Sequence, residues 1–179
     1  MNVLVVILKV IAAIVVLILV VALFVKKDYL VEREVVINQP KEKVFTYIRS
    51  LKNQDNYSVW NQLDPGMAKS YSGEDGTPGF KYSWDSQKKE AGKGEQTIAS
   101  IKEGERVDMD LHFIKPFEGK ANAYMTTSSV NPNRTKVAWG VKGKMSYPMN
   151  IMIPLMGMEN KMGGDLSKSL EQLKKLLEP

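Results

Sequence analysis

The chain has 179 residues, a hydrophobic fraction of 44% and a formal net charge of +5. Residues 1–27 hold three lysines and no acidic residue, so the stretch of about 150 residues that follows, the size of one domain, is close to neutral. Such a mild balance argues against the dense basic surface that nucleic-acid-binding proteins usually carry. The absence of cysteine and the single histidine exclude disulfides, a thiol catalyst and any site that needs two histidines.

The N-terminal segment, residues 3–25, is apolar apart from Lys9 and contains neither glycine nor proline. As a helix it would measure roughly 34 Å, which is enough to cross a bilayer. Lys9 can reach the headgroups at one surface, while Lys26 and Lys27 mark the other. We therefore predict an N-terminal transmembrane anchor in residues 1–27 and one domain in residues 28–179.

The charges around this segment predict its orientation. Lys26, Lys27 and Arg33 follow the span, so the positive-inside rule places the domain on the cytoplasmic side. A signal peptide that is cleaved after Ala22 is the alternative. We favour the anchor because the run stays apolar through Val25 and because basic residues follow its strongest part.

The first elements of the domain follow from composition and spacing. Residues 29–37 are rich in β-branched side chains and predict a strand. Pro40 then favours the start of a helix over residues 40–51, whose apolar side chains recur at helical spacing. A second short helix is predicted over residues 53–60, before the turn-forming residues 63–66.

The middle of the domain changes to a period of two, which is typical of strands. Turns that contain glycine, proline or asparagine separate six predicted strands, over residues 67–71, 80–85, 95–102, 106–113, 121–130 and 135–144. In the residues 145–162 that follow, Pro148 and Pro154 predict a broken helix. Gly163 and Gly164 then separate this stretch from a closing helix, for which Asp165 is the predicted N-cap.

The closing helix carries Leu166, Leu170, Leu173 and Leu177 at spacings of four, three and four, which places one apolar stripe along it. Such a stripe must pack on another element, and a curved antiparallel sheet offers an apolar concave face. Strands grouped together, with the helices segregated from them, indicate an α+β fold. We predict a sheet of about six to seven strands wrapped around this helix.

The space between the sheet and the closing helix is the predicted functional site, a hydrophobic cavity. Tyr82 and Trp84 each bring a polar atom that needs a partner when buried, and a ligand or a water molecule would supply one. Plain core packing is the alternative for most of the inward-facing residues. The candidate cavity residues are Trp60, Phe80, Tyr82, Trp84, Met109, Leu111, Phe113, Trp139, Val141, Met152, Met156, Leu166 and Leu170.

The methionines before the closing helix form the least ordinary feature of the sequence. Methionine side chains are flexible and common at adaptable binding surfaces, so they predict a pliable mouth that admits apolar ligands or dips toward lipid. The alternatives are that they fill irregular space beside the two prolines, or that they form a docking patch for a protein. The cluster comprises Met145, Met149, Met152, Met156, Met158 and Met162.

Polar side chains on one predicted strand are candidates for chemistry. Asp108, Asp110 and His112 share a face, but two-residue steps of about 7 Å are too wide for one metal ion on a straight strand. We interpret them as a solvated face and predict no metal and no cofactor. An enzyme would need Asp85, Asp108 or His112 to point inward, whereas the alternation turns them outward. We therefore predict no catalytic residue.

Three strings, in this order, resemble the START-like (SRPBCC) superfamily of polyketide cyclase/dehydrase and lipid-transport proteins, which includes the birch-pollen-allergen fold. They are residues 33–45 (REVVINQPKEKVF), Trp60-Asn61 with residues 63–67 (LDPGM), and residues 164–174 (GDLSKSLEQLK). The resemblance covers residues 29–178 and implies a helix-grip fold with a hydrophobic cavity. Members of the superfamily bind lipids, sterols, polyketides or proteins, and a minority are enzymes, so the fold alone implies no single function.

These observations predict a membrane-tethered binding protein that holds a lipid or another hydrophobic small molecule, without catalysis. Tethering favours this function because it keeps the domain at high effective concentration beside the bilayer. A polyketide cyclase or dehydratase-like enzyme is one alternative. The other is a protein-interaction or stress-related domain that docks through the Met-rich stretch.

Overall fold

The computed structural model describes residues 3–178, so the outermost positions of the two predicted segments, residues 1–2 and 179, lie outside the described residues. Helix α1 spans Val3–Phe24 and is long and apolar enough to cross a membrane. Helix α2 (Lys41–Ile48) and a 3-10 helix (Lys52–Asn56) follow the first strand. The strands are β1 (Asp28–Ile37), β2 (Ala68–Ser72), β3 (Lys81–Asp85), β4 (Lys93–Lys102), β5 (Arg106–Lys115), β6 (Gly119–Asn131) and β7 (Arg134–Lys144).

A Met-rich segment connects the last strand to the closing helix. It contains a 3-10 turn (Met149–Ile151) and the single-turn helix α3 (Met152–Leu155). Helix α4 then runs over Met158–Leu177. The segment is a broken helix, as the sequence predicts, and Pro148 precedes its 3-10 turn. Pro154, however, lies within α3, and the break before α4 falls at Gly157, whose φ of 56° is left-handed.

Within residues 3–178 the strands form one antiparallel seven-stranded sheet in the order β1-β7-β6-β5-β4-β3-β2. The first strand therefore pairs with the last, and every other neighbour is joined by a hairpin or a short loop. Alternate residues of the strands turn inward and are buried, as the period of two predicts. The sheet and the segregated helices confirm the predicted α+β class.

Helix α4 packs its leucine stripe against the inner face of β1 and β7. Leu166, Leu170, Leu173 and Leu177 are all at most 5% exposed, so the predicted stripe is the buried face. Polar contacts fix the helix along its length. The Ser169 hydroxyl accepts the backbone N–H of Val59 at 3.0 Å, and the Gln39 side chain donates to the carbonyl of Leu177 at 2.7 Å.

The start of α4 differs from the prediction. The helix begins at Met158 and passes through Gly163 and Gly164 without a break, so Asp165 is not its N-cap. The reason is packing: a Cβ atom on Gly163 would collide with the guanidinium group of Arg33, whose side chain lies against the helix from β1. The glycine therefore permits close approach of the Arg33 side chain to the helix rather than marking a boundary.

The second predicted helix, residues 53–60, is also shorter than expected. Only the 3-10 helix Lys52–Asn56 forms, and irregular backbone continues from it. Asn and Asp side chains form hydrogen bonds that favour non-helical backbone, and both residue types occur in this segment. Asn53 donates to the carbonyl of Tyr47 at 2.8 Å, and Asp55 pairs with Lys69 at 2.8 Å.

The two glycines of α4 give a matched test of this packing. A Cβ atom added at Gly164 would enter open space, so Gly164→Ala is expected to stabilise the chain by up to about 1 kcal/mol through helix propensity. Gly163→Ala must first displace Arg33 and is expected to gain less or to destabilise. Chemical denaturation of the chain in detergent measures both. Equal gains at the two positions would contradict the close approach.

A second test concerns the buried stripe. Leu170 is 1% exposed, so Leu170→Ala is expected to lower the free energy of unfolding by about 2–5 kcal/mol. Leu176→Ala is the control, because Leu176 lies on the same helix and is 40% exposed. A loss at Leu170 no larger than that at Leu176 would show that the stripe is not packed as described.

Candidate ligand-binding cavity

A cavity of about 390 Å³ lies between the inner face of the sheet and the N-terminal half of α4. Its wall is mostly apolar and comes from the strands, from the irregular segment after the 3-10 helix and from the Met-rich segment. Most of the predicted cavity residues line it. They are Trp60, Tyr82, Trp84, Leu111, Phe113, Trp139, Val141 and Met156.

The other predicted cavity residues do not line it: Phe80, Met109, Met152, Leu166 and Leu170. Phe80 and Met109 face the interior from the sheet, and Leu166 and Leu170 face it from α4. All four are at most 1% exposed, because neighbouring side chains enclose them in the core. Met152 lies in α3, outside the wall. Alternation identifies the inner face of a strand correctly but does not say how closely the opposite element packs on it.

Aromatic contacts fix the wall in place. Tyr82 stacks between Tyr71 and Trp84, with ring centroids 5.5 Å and 5.7 Å apart. Trp60 meets the edge of Trp139 at 5.7 Å with the two planes at 89°. Stacked and edge-on pairs of this kind stabilise one arrangement of large side chains, so the cavity is formed before any ligand enters.

A group of polar side chains in the cavity wall was not predicted from the sequence. Gln54, Ser58 and Gln96 are buried there, and the amides of Gln54 and Gln96 donate to Sδ of Met109 at 3.7 Å and 2.9 Å. Sulfur is a weak acceptor, so these amides are only weakly satisfied. The sequence carries one signal of this, since Gln96 lies two residues from apolar Ile98 and therefore shares the inner face of β4 with it.

Two further donors in the wall have no hydrogen-bond partner in the described part of the chain. They are the hydroxyl of Tyr82 and Nε1 of Trp139, and both side chains are 3% exposed. Burial raises the pKa of Tyr82, so its hydroxyl stays protonated at neutral pH. The indole of Trp84, by contrast, donates to the carbonyl of Ala91 at 3.0 Å. The polar atom of Tyr82 is thus left for a ligand or a water molecule, whereas that of Trp84 has its partner in the backbone.

The mouth of the cavity is apolar with charges at its edge. Met156, Met158 and Met162 of the Met-rich cluster contribute to it, whereas Met145 and Met149 do not. Phe117, in the loop between β5 and β6, lies at the mouth and is 80% exposed. The charged residues that line the cavity, taken over residues 3–178, are Glu90, Lys115, Lys161 and Asp165, of which only Asp165 is half-buried.

The residues considered for catalysis lie on the outer face of the sheet. Asp85 pairs with Lys93 at 2.7 Å, and Asp108 pairs with Arg106 at 2.7 Å. These partners hold the pKa of both carboxyl groups below the usual range, so both stay ionised. His112 lies beside Glu118 at 3.4 Å. None of the three lines the cavity, in agreement with the alternation of their strands.

Asp110 shares the outer face and accepts a hydrogen bond from Asn122 at 2.6 Å. Over the residues that the structure covers, no group of three or more acidic or histidine side chains is placed to hold a metal ion. The row of Asp108, Asp110 and His112 is thus divided among separate partners rather than gathered at one point.

Comparisons with known proteins identify solved structures that are similar to this one. No family model matches the chain, and no curated protein matches it. A protein from Nitrosospira multiformis is similar in structure, with 17% identity and a TM-score of 0.57, over 83% of this chain and 96% of that one. Norcoclaurine synthase of Thalictrum flavum is similar at 12% identity and a TM-score of 0.61, over 84% and 94%.

Ara h 8.0201 is a third similar structure, with 14% identity and a TM-score of 0.53, over 83% of this chain and 99% of that one. In each case the similarity covers nearly the whole of the other protein. At these identities it establishes the fold. The chain therefore has the same fold as these proteins, an antiparallel sheet that wraps around a C-terminal helix.

Proposed function

We propose that this chain binds an uncharged, largely apolar molecule, a lipid or a similar small molecule, while α1 tethers it to a membrane. The observation that carries the proposal is the apolar cavity with two buried donors that lack partners among residues 3–178. Its volume of about 390 Å³ falls in the range of about 300–1,000 Å³ that is typical of small-molecule sites.

The polar groups of the cavity define the ligand further. A buried donor without a partner costs about 1–3 kcal/mol, and a ligand that offers an acceptor oxygen removes that cost. Tyr82 and Trp139 are neutral donors, and the charged lining residues Glu90, Lys115 and Lys161 are exposed. A neutral oxygen, such as a hydroxyl, ester or ketone, therefore fits the interior better than a carboxylate or phosphate.

The tether supports a membrane lipid as the source of the ligand. Helix α1 has the length and composition of a membrane span, and it is joined to the domain by only three residues. A domain held at this distance meets lipid at high effective concentration. Lys26 and Lys27 follow the span, so we place the domain on the cytoplasmic side.

The proposal is of binding without catalysis. Norcoclaurine synthase is an enzyme with this fold, so we infer the absence of catalysis from the site rather than from the fold. The acids and the histidine considered as catalysts, Asp85, Asp108 and His112, point away from the cavity and are engaged elsewhere. General acid–base catalysis requires a group within hydrogen-bond reach of the bound molecule. The charged residues that do line the cavity, Glu90, Lys115, Lys161 and Asp165, lie at its edge, and the first three are exposed.

Photocross-linking of a neutral lipid tests the proposal. The full chain is reconstituted in nanodiscs that contain a diazirine-bearing monoacylglycerol, and cross-linked peptides are identified by mass spectrometry. We expect adducts on the strands that carry Tyr82, Leu111 and Val141, as well as on α1. Ala123→Leu, which adds volume inside the cavity, is expected to remove the strand adducts and to spare those on α1.

Ala68→Leu is the matched control, because Ala68 lies on the exposed edge strand and not in the cavity. It is expected to leave the adducts unchanged. Adducts confined to α1, or strand adducts that Ala123→Leu leaves intact, would contradict binding in the cavity. Thermal unfolding of each variant shows whether it has kept its fold.

A hydroxyl deletion tests the role of Tyr82. Tyr82→Phe is expected to weaken monoacylglycerol binding by roughly fivefold, the loss of about one hydrogen bond. It is expected to leave the stability of the ligand-free chain unchanged or higher, because an unpartnered buried hydroxyl is removed. Tyr57→Phe is the control, since Tyr57 is buried outside the cavity wall. Weaker binding in both variants, or in neither, would contradict a direct contact.

A further inference from the structure

The Met-rich segment is hydrogen-bonded to the end of α1 and to the linker that follows it. The side-chain amide of Asn150 donates to the carbonyls of Ala22 at 2.7 Å and of Val25 at 2.8 Å, and Asn150 is fully buried. The backbone N–H of Met145 donates to the carbonyl of Lys27 at 2.8 Å. Asn150 thus satisfies carbonyls that a helix end leaves without partners, and it holds the 3-10 turn Met149–Ile151 beside the last turn of α1.

This contact fixes the depth at which the Met-rich segment lies relative to helix α1. Ala22 lies about 4.5 Å inside the helix relative to Val25, at a rise of about 1.5 Å per residue. If α1 spans a bilayer, its last turn reaches the boundary between acyl chains and headgroups. The 3-10 turn and α3, which follows it directly, must then lie at that boundary as well.

The register of the strands places the cavity mouth beside the end of α1 as well. Asp28, the first residue after the α1 linker, pairs with Lys144, and the neighbouring strands end at Gly119, Lys115, Lys93 and Asp85. We call this edge the α1 end of the sheet. The loops that lead to Ala91 and Phe117 in the cavity wall are at the α1 end, and so is the segment that leads to Met156.

Exposed apolar side chains concentrate at the α1 end. Twelve large hydrophobic side chains are exposed outside α1 in the described residues, and nine of them lie there. Leu155 and Phe117 protrude furthest, at 74% and 80% exposure. The nine are Leu30, Leu63, Phe113, Ile114, Phe117, Tyr147, Met149, Leu155 and Met156.

Lysine residues are also concentrated at the α1 end of the sheet. The α1 end, residues 26–30, 63–64, 85–93, 113–120 and 142–161, contains ten lysines and six acidic residues. The opposite end, residues 38–43, 73–80, 102–106 and 131–134, contains five basic and five acidic residues. Lysines around an apolar tip match a bilayer surface, where the tip enters the acyl boundary and the lysines meet anionic headgroups.

We propose that the α1 end of the sheet is seated in the surface of an anionic bilayer, through Leu155, Phe117 and the surrounding lysines, so that the cavity mouth opens into the lipid. The inference rests on the proposed function in two respects, the span by α1 and the binding of a lipid in the cavity. Asn150 is the positioning residue, because its two hydrogen bonds join the turn before Leu155 to the anchor. A lipid then passes between bilayer and cavity without crossing water.

Fluorescence quenching by lipids tests this seating. The chain lacks cysteine, so a single introduced cysteine carries a nitrobenzoxadiazole label uniquely. Phe117→Cys, Leu155→Cys and Val130→Cys are prepared in the full chain, Val130 being an exposed residue at the opposite end. They are reconstituted in nanodiscs of phosphatidylcholine and phosphatidylglycerol that contain a 5-doxyl phospholipid. We expect the labels at 117 and 155 to be quenched at least about twofold more than the label at 130.

A separate variant tests the hydrogen bonds by which Asn150 joins the Met-rich segment to α1. Asn150→Ala is expected to reduce the quenching of the label at 155, while Asn133→Ala, in the exposed β6–β7 hairpin, is expected to leave it unchanged. Replacing phosphatidylglycerol by phosphatidylcholine is expected to weaken the quenching at 117. Quenching that does not depend on lipid charge would overturn the role of the lysines.

A label in the anchor separates this inference from the proposed tether. With Leu17→Cys quenched by lipid, equal quenching at 117, 155 and 130 overturns the seating and leaves the tether in place. An unquenched label at 17 overturns both. Labels at 117 and 155 that are shielded from aqueous iodide and from doxyl lipid alike would show that a protein, and not the bilayer, covers the α1 end.

Discussion

The width of the sheet relative to its one long helix is the constraint on which the rest of the structure depends. Seven strands at about 4.8 Å spacing span roughly 29 Å, whereas a helix with its side chains is about 10 Å wide. Helix α4 therefore covers mainly β1, with part of β7, and the short helix α2 packs on β6 and β7. The inner face of the remaining strands is closed by irregular backbone and large side chains. The cavity lies where this looser cover meets the N-terminal half of α4, and Tyr82 and Trp84 from β3 and Trp139 from β7 line it.

This arrangement separates the stabilising part of the domain from the adaptable part. The C-terminal half of α4 is fixed by its buried leucines and by contacts of Ser169 and Gln39. Its N-terminal turn and the Met-rich segment border the cavity mouth and are more exposed. One helix therefore stabilises the fold through buried leucines at one end and borders the cavity through methionines at the other.

The site could be predicted in part, and the errors have a common cause. Alternation identified Tyr82, Trp84, Leu111 and Trp139 as inward-facing, and all of them line the cavity. It gave the same status to Phe80 and Met109, which are enclosed in the core. Gln54 and Ser58 gave no signal, because a polar side chain in an irregular segment reads as a surface residue until the neighbouring strands bury it.

The sequence by itself determined the features that depend on a residue's own element: the apolar N-terminal helix, the alternating strands, the leucine stripe and hence the α+β class. These follow from the periods of helix and strand, which act over a few residues. Only the tertiary structure decided how elements meet. Arg33 lies against Gly163, which lies within a continuous helix, and Asn150 joins the Met-rich segment to α1. Such contacts join residues more than a hundred positions apart, and their distances are set by sheet curvature and strand register, which no local pattern encodes.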